Sequence, residues 1–126
     1  MPRTKRTFLL LGAFGALLAV ALGAFGAHAL KARLAPEALG LWKTAVEYHF
    51  YHSLGLLAVG AAAMQGESRQ LQLAGWCMVA GVVLFSGSLY GLALTAFPWL
   101  GWITPFGGLS FLAGWGFLLA AWLRSD

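Results

Sequence analysis

Residues 7–30, TFLLLGAFGALLAVALGAFGAHAL, decide the fold of this chain. The stretch carries no charge unless His28 is protonated, and about 20 apolar residues suffice for a helix to cross the ~30 Å hydrocarbon core of a bilayer. Arg3, Lys5 and Arg6 before it, with an A-x-A pattern at 27–29, also resemble a signal peptide. Because the apolar run is longer than a typical signal core, we interpret it as an uncleaved membrane-spanning helix.

The whole chain shares this apolar character. Of its 126 residues, 60% are hydrophobic and 10% are charged, whereas roughly a quarter are charged in a soluble domain. The net charge of +4 would suggest nucleic acid as the partner of a soluble protein, but these basic residues lie at the ends of apolar runs, where they orient membrane proteins. The single cysteine, Cys77, allows no disulfide framework. We therefore predict one integral membrane domain, residues 1–126, with no nucleic-acid partner.

Three further spans follow from the uncharged stretches. One lies between Glu47 and Glu67, and its helix is predicted to begin near Pro36, outside the bilayer, because proline favours a first helical turn. The stretch between Arg69 and Arg124 is long enough for two spans joined by a Pro- and Trp-rich turn. The predicted fold is an all-α membrane protein, an antiparallel bundle of four transmembrane helices with the second extended beyond the bilayer, at about residues 8–29, 37–64, 70–96 and 103–123.

Basic residues near the helix ends predict the orientation. One side carries five of them and the other three, and the richer side is expected in the cytoplasm. This predicts a multi-pass protein of the cell inner (plasma) membrane with both termini cytoplasmic. The richer side has Arg3, Lys5, Arg6, Arg69 and Arg124, and the other Lys31, Arg33 and Lys43.

Glycine pairs favour close packing of the predicted helices. The segment GAFGA occurs at 12–16 and again at 23–27, an 11-residue offset that returns to nearly the same helix face. Gly87 and Gly91 form a G-x-x-x-G pair of the kind that lets membrane helices approach closely. We expect these contacts within the protein, with a homo-oligomer or a larger membrane complex as the alternative. The packing glycines predicted here are Gly12, Gly15, Gly23, Gly26, Gly87 and Gly91.

Polar side chains of the predicted spans concentrate in the half of the bilayer that this orientation makes the outer one. With about 1.5 Å of rise per residue, the inner half contains almost no polar group. Ionisable groups of pumps and carriers usually form a relay across the membrane, so the one-sided distribution argues against a channel or proton-coupled carrier. It favours a vestibule open to one face, lined by His28, Tyr48, His49, His52, Ser86, Ser88 and Tyr90.

The densest polar stretch is EYHFYHS, residues 47–53. At about 100° per residue, Tyr48, His49 and His52 share one helix face, while the nearly opposite face carries Lys43, Glu47 and Tyr51. Two histidines with His28 are an incomplete metal site, so no metal is predicted and the cofactor is left open. Lys43 and Glu47 are predicted as an ion pair; the alternative is that Glu47 is buried against the basic residues of the first loop.

Four segments carry a resemblance to a known family: GAFGAHAL (23–30), AVEYHFYHSLGLLAVG (45–60), LFSGSLYGLAL (84–94) and ITPFGGLSFLAGW (103–115). In these the chain resembles the domain of unknown function 423 family, to which transmembrane protein 256 of eukaryotes is related. The resemblance implies a four-helix inner-membrane protein and supplies no catalytic residues. It adds Gly107 and Gly108 to the predicted packing positions and coincides with much of the polar cluster.

Three functions remain as hypotheses. The first is a non-enzymatic binding module whose polar vestibule holds a membrane lipid, a small amphiphile or a partner helix. The second is a small transporter or permeation subunit, although the first helix lacks the central carboxylate that small multidrug carriers use. The third is a histidine-ligated metal or haem protein. No G-x-S-x-G elbow, P-loop, dinucleotide fingerprint or C-x-x-C motif is present, so no catalytic residue is predicted.

Overall fold

The computed structural model describes residues 3–124, and all regular structure within them is helical. Three helical rods are long and apolar enough to cross a membrane: Arg3–Leu30, Arg69–Thr95 and Pro98–Arg124. A further long helix, Pro36–Ala63, contains the polar stretch 47–53 and is not among these three.

The rods contain irregular turns that the sequence did not predict. Helix α1 (Arg3–Phe25) continues into a π-helical turn, Gly26–Leu30, and α2 is Pro36–Ala63. Helices α3 (Arg69–Gly81) and α4 (Gly87–Thr95) are joined by a second π turn, Val82–Ser86. A 3₁₀ turn, Pro98–Trp102, leads into α5 (Thr104–Arg124). Helix α1 begins five residues before its predicted start at residue 8, because Lys and Arg are good helix formers and extend it.

Local sequence explains where the helices begin and end. Pro36 opens α2 after the extended residue Ala35, since proline lacks the N–H that a first turn leaves unsatisfied. The hydroxyl of Ser68 accepts a hydrogen bond from the Leu71 amide at 3.2 Å and so caps α3. Ala96 ends α4 in the left-handed conformation, with φ of 58°, just before Pro98. These signals separate the long helices by short connections.

Helices α1 and α2 run in opposite directions in close contact. Gly60, near the end of α2, faces Leu9 near the start of α1, and Gly26 faces Trp42 at the other end. A Cβ atom added to Gly12 would lie 2.8 Å from the Ser53 carbonyl oxygen. Only a residue without a side chain permits such an approach of two backbones.

The buried side chains form two clusters at opposite ends of the molecule. The first lies at the end that contains the α2–α3 loop, and the second near the α1–α2 loop. Between them, the Phe111 ring of α5 covers Gly81, and Gly107 lies against the backbone of Phe85 in the second π turn. The first cluster comprises Phe8, Leu56, Val59, Ala63, Leu71, Ala74, Met78 and Leu118, and the second Leu30, Trp42 and Ala93.

Candidate functional site

The two faces of α2 differ as its periodicity predicts, except that Tyr48, predicted on the histidine face, is exposed. His49 and His52 are buried, whereas Lys43, Glu47 and Tyr51 are exposed. Polar groups buried in an apolar environment need hydrogen-bond partners. The buried face of α2 therefore has to find those partners on the helices that pack against it.

His52 is enclosed by α5 and has both ring nitrogens engaged. Its Nδ1 lies 2.7 Å from the Tyr48 carbonyl oxygen, and the Trp115 indole donates to its Nε2 at 3.0 Å. A carbonyl only accepts and an indole N–H only donates, so Nδ1 carries the proton and the ring is neutral. The ring also stacks on Phe111, with centroids 3.5 Å apart and planes 7° from parallel. His52 thus joins α2 to α5 and has no nitrogen left for a metal.

His49 makes the corresponding contact with α4. Its Nδ1 lies 3.0 Å from the hydroxyl of Tyr90. The Tyr90 ring packs on Trp42, with centroids 4.7 Å apart, and the Trp42 indole donates to the Leu22 carbonyl oxygen of α1 at 2.9 Å. A continuous chain of polar and aromatic contacts therefore crosses from α4 through α2 to α1.

The two predicted serines bond to different helices. Ser86, the last residue of the second π turn, is fully buried and donates to the Ala45 carbonyl oxygen of α2 at 2.7 Å. Ser88 lies 2.6 Å from the Thr104 hydroxyl of α5. Both hydroxyls serve helix contacts, as serines in membrane helices commonly do. We call the bonded set the polar seam: His49, His52, Ser86, Ser88, Tyr90, Thr104 and Trp115.

Of the remaining two members of the predicted cluster, His28 lies outside this seam and Tyr48 borders it. His28 lies in the first π turn, is exposed, and makes no contact with the other predicted residues in the described chain. Tyr48 is 38% exposed; its ring packs on Phe85, and its backbone carbonyl, rather than its hydroxyl, bonds to His52. His28 needs no internal partner because it lies at a helix end. No hydrogen bond or ring contact joins His28 to His52 among the described residues, and the His52 ring is covered by Phe111 and Trp115.

The predicted ion pair is also not formed. Lys43 and Glu47 are both exposed, and neither makes a salt bridge within residues 3–124. Glu47 is also not buried against the basic residues of the first loop, as the alternative interpretation of the sequence would require. Holding two long exposed side chains together costs conformational entropy that a surface ion pair barely offsets.

Most predicted glycines face a neighbouring helix or loop, and two do not. A Cβ atom added to Gly87 would meet only the Val82 carbonyl oxygen, at 4.0 Å, and one added to Gly108 would meet nothing within 4 Å. Both Gly87 and Gly91 lie in the regular helix α4, so their spacing is kept, but only Gly91 faces a neighbouring side chain, that of Leu100. Gly12, Gly15, Gly23, Gly26, Gly91 and Gly107 all face other residues closely; further such positions are Gly55, Gly60, Gly75, Gly81 and Gly114.

Trp115, Phe111 and Thr104 were not predicted from the sequence as parts of the site. The Trp42 and Trp115 indoles each donate to a group on another helix. The available signal was the polar N–H of an indole inside an apolar run, which needs an acceptor when buried. Three turns of α5 place Trp115, Phe111 and Gly107 on one face toward α2 and the second π turn.

A cavity of about 650 Å³ lies away from the seam, at the end that contains the α2–α3 loop. It is bounded by the last turns of α2, the loop, the first turn of α3 and the last turn of α5. Small apolar side chains and polar loop residues alternate around it. The lining residues are Ala58, Ala61, Ala62, Gln65, Gly66, Glu67, Ser68, Gln70, Leu71, Ala121, Trp122 and Arg124, and we call this cavity the crevice.

The positions and partners of the polar side chains indicate which chemical roles they can have. Among residues 3–124, no three His, Cys, Asp or Glu side chains lie close enough together to hold a metal ion. The serine and threonine hydroxyls of the seam bond to carbonyl oxygens or to each other, and the Tyr90 hydroxyl bonds to His49, so they are positioned as helix contacts. The geometry is that of a structural core with a separate open cavity.

Comparisons with known proteins place the chain in a family. The model of a family described as "Protein of unknown function (DUF423)" matches residues 22–108. The chain belongs to this family. It is 48% identical over 118 residues to the UPF0382 membrane protein YwdK of Bacillus subtilis, covering 92% of this chain and 95% of that protein. A UPF0382 membrane protein of Staphylococcus epidermidis is 45% identical, with 94% and 97% covered.

The family resemblance noted in the sequence is thus confirmed, and the DUF423 relatives are named as membrane proteins. No solved structure matches the chain. The matched residues 22–108 contain His49, His52, Ser86 and Tyr90 of the seam and the α2–α3 loop. Trp115 and the α5 side of the crevice lie beyond that range.

Proposed function

We propose that α2 is a fourth membrane span and that the chain forms an antiparallel bundle of four spans. The burial and hydrogen bonding of its polar residues support this proposal. His49 and His52 are buried and bonded to α4 and α5. A polar helix enters a bilayer when such groups are paired inside the protein. The contacts of α2 with α1 extend from Trp42 to Gly60, over most of its length.

The proposed orientation places the α2–α3 loop in the cytoplasm, together with both termini, in the inner membrane. The excess of basic residues at that end supports it. Single cysteines at Ser68 and Leu100, in a Cys77→Ser background, test it with a membrane-impermeant thiol reagent. We expect only Leu100→Cys to be labelled in intact cells. Labelling of both from the same side would contradict the four-span topology.

We propose that the protein is a non-enzymatic binding module for a membrane lipid or small amphiphile. One observation carries this: the polar groups of the core are consumed in contacts between helices, while the crevice remains open beside apolar side chains. The volume of the crevice lies in the range of ligand pockets, and its lining combines apolar and polar residues. The site thus lies at the opposite end from the predicted vestibule.

Native mass spectrometry of the protein released from lipid nanodiscs tests this function. Ala61→Leu places a larger side chain in the crevice and should lower the number of retained lipids without lowering the melting temperature. Ala80→Leu is the matched control, because Ala80 is exposed on α3 outside the crevice. Retention that is equal in wild type, Ala61→Leu and Ala80→Leu would overturn the proposal.

A further variant, His52→Ala, tests whether the ligand binds in the crevice or at the seam. His52→Ala should lower the melting temperature, because it removes the bonds to Trp115 and the stacking on Phe111. Lipid retention by the folded fraction should stay unchanged. Loss of lipid from folded His52→Ala protein would instead return the ligand to the histidine cluster.

A further inference from the structure

The crevice has an apolar wall made almost wholly of alanine. Ala58, Ala61 and Ala62 of α2 stand opposite Ala121 of α5. One to two turns nearer the seam, the same two helices are in contact, because the Trp115 ring lies 3.3 Å from the position of a Cβ on Gly55 and its indole bonds to His52. Between this contact and the α2–α3 loop, small side chains leave room for a chain about as wide as an acyl chain.

The rim of the crevice is polar and carries both charges. Glu67 of the α2–α3 loop and Arg124 at the end of α5 are both exposed there. Gln65 and Gln70 add amide groups, and the first turn of α3, which begins after Ser68, adds the partial positive charge of a helix N-terminus. One formal anion and one formal cation thus face the same space.

We propose that the crevice binds a phospholipid whose headgroup combines a phosphate with a primary ammonium, as in phosphatidylethanolamine. This proposal rests on the proposed binding function and names the ligand class of that site. The Arg124 guanidinium pairs with the phosphate, as arginine commonly does. The Glu67 carboxylate accepts hydrogen bonds from the ammonium, and one acyl chain lies along the alanine wall.

The charges select this headgroup over other common ones. A net anionic headgroup such as phosphatidylglycerol gains the contact with Arg124 but brings no cation to Glu67. Phosphatidylcholine brings a cation, but its quaternary ammonium has no N–H to donate to a carboxylate. The ring of Trp122, which lines the crevice near Arg124, is of the type that favours the boundary between headgroups and acyl chains.

The test uses the full chain in nanodiscs that contain equal parts of phosphatidylethanolamine, phosphatidylglycerol and phosphatidylcholine with matched acyl chains. Lipids retained after ejection into the mass spectrometer are counted by class. We expect wild type to be enriched in phosphatidylethanolamine. Glu67→Gln should lower that enrichment about two- to fivefold, the range of a single exposed ion pair. Arg124→Gln should lower the retention of all three classes by a similar factor, because each class carries the phosphate that Arg124 contacts.

Matched controls carry the same chemical changes at the other end of the molecule. Glu37→Gln and Arg33→Gln alter exposed charges far from the crevice and should leave the enrichment unchanged. Melting temperatures of all four variants show whether each protein is folded. Because both crevice residues are exposed, we expect their variants to melt as wild type does.

The outcomes separate this proposal from the broader one. If Ala61→Leu loses lipid but wild type retains the three classes equally, the headgroup assignment is overturned and the binding function stands. Enrichment that survives Glu67→Gln, or total retention that survives Arg124→Gln, also overturns the assignment. If Ala61→Leu retains as much of every lipid as wild type does, both proposals are overturned.

Discussion

Helices α2 and α5 border two regions of opposite character. In the seam region, His52 is bonded on both ring nitrogens and stacked against Phe111, and its side chain is 4% exposed. Two to three turns further along α2, the facing residues are alanines and a cavity of about 650 Å³ lies beside them. The same pair of helices is thus closed by polar contacts at one level and open beside apolar ones at another.

The difference separates two roles that polar residues can have in a membrane protein. Where no water is available, histidines and serines must bond to each other or to backbone carbonyls, which leaves little for a ligand. Space for a ligand instead arises where small apolar side chains face each other. A concentration of polar residues inside a span is therefore a poor guide to a binding site unless their partners are known.

The largest expected effect tests the close packing on which both regions depend. Gly12→Leu should lower the free energy of unfolding by about 3 kcal/mol, because the new side chain meets the Ser53 carbonyl oxygen and the Leu57 amide of α2. Unfolding in mixed detergent micelles measures it. Gly87→Leu is the control and should change little, since that position is open. Equal losses would contradict the assignment of these two glycines.

A smaller effect is expected in the seam itself. His52→Ala should cost about 2 kcal/mol, since it leaves the Trp115 indole without its acceptor and removes the ring from Phe111. His28→Ala, at the exposed histidine of the first π turn, should leave stability unchanged. A double-mutant cycle with Trp115→Phe isolates the hydrogen bond. Additive single effects would show that the two rings do not interact.

The single serine bond between α2 and the second π turn has a lesser expected effect. Ser86→Ala should cost about 0.6 to 1 kcal/mol, typical of hydrogen bonds between membrane helices, because its hydroxyl alone is removed and the Ala45 carbonyl keeps its place in α2. Thr95→Ala serves as the comparison at an exposed helix end. A loss of free energy of unfolding as large as that of His52→Ala would show that Ser86 also stabilises the π turn.

The smallest effect is expected on the exposed face of α2. Glu47→Gln should change the free energy of unfolding by less than about 0.5 kcal/mol, because Glu47 makes no salt bridge within the described residues. Lys43→Gln should behave alike. Unfolding curves at low and high salt would reveal a pair: a salt-dependent loss in either variant would restore the predicted ion pair.

The amino-acid sequence by itself determined the class of protein and the rough extent of its helices. Apolar runs, prolines and basic flanks are local properties, and the conditions that a bilayer sets on a spanning helix are met residue by residue. The buried face of α2 also follows from periodicity alone, because side chains at 3.6 residues per turn line one side. The helical class and the family resemblance also rest on local sequence patterns, so both were predictable.

Only the tertiary structure decided what the polar residues bind and where the cavity lies. The π turns at Gly26–Leu30 and Val82–Ser86 change the helix phase, which no fixed 100° spacing anticipates. The partners of His49 and His52 are Tyr90 and Trp115, separated from them by 41 and 63 residues along the chain. The crevice exists because alanines of distant helices face each other. Such long-range juxtapositions depend on how whole helices dock, and a single sequence contains no local signal for them.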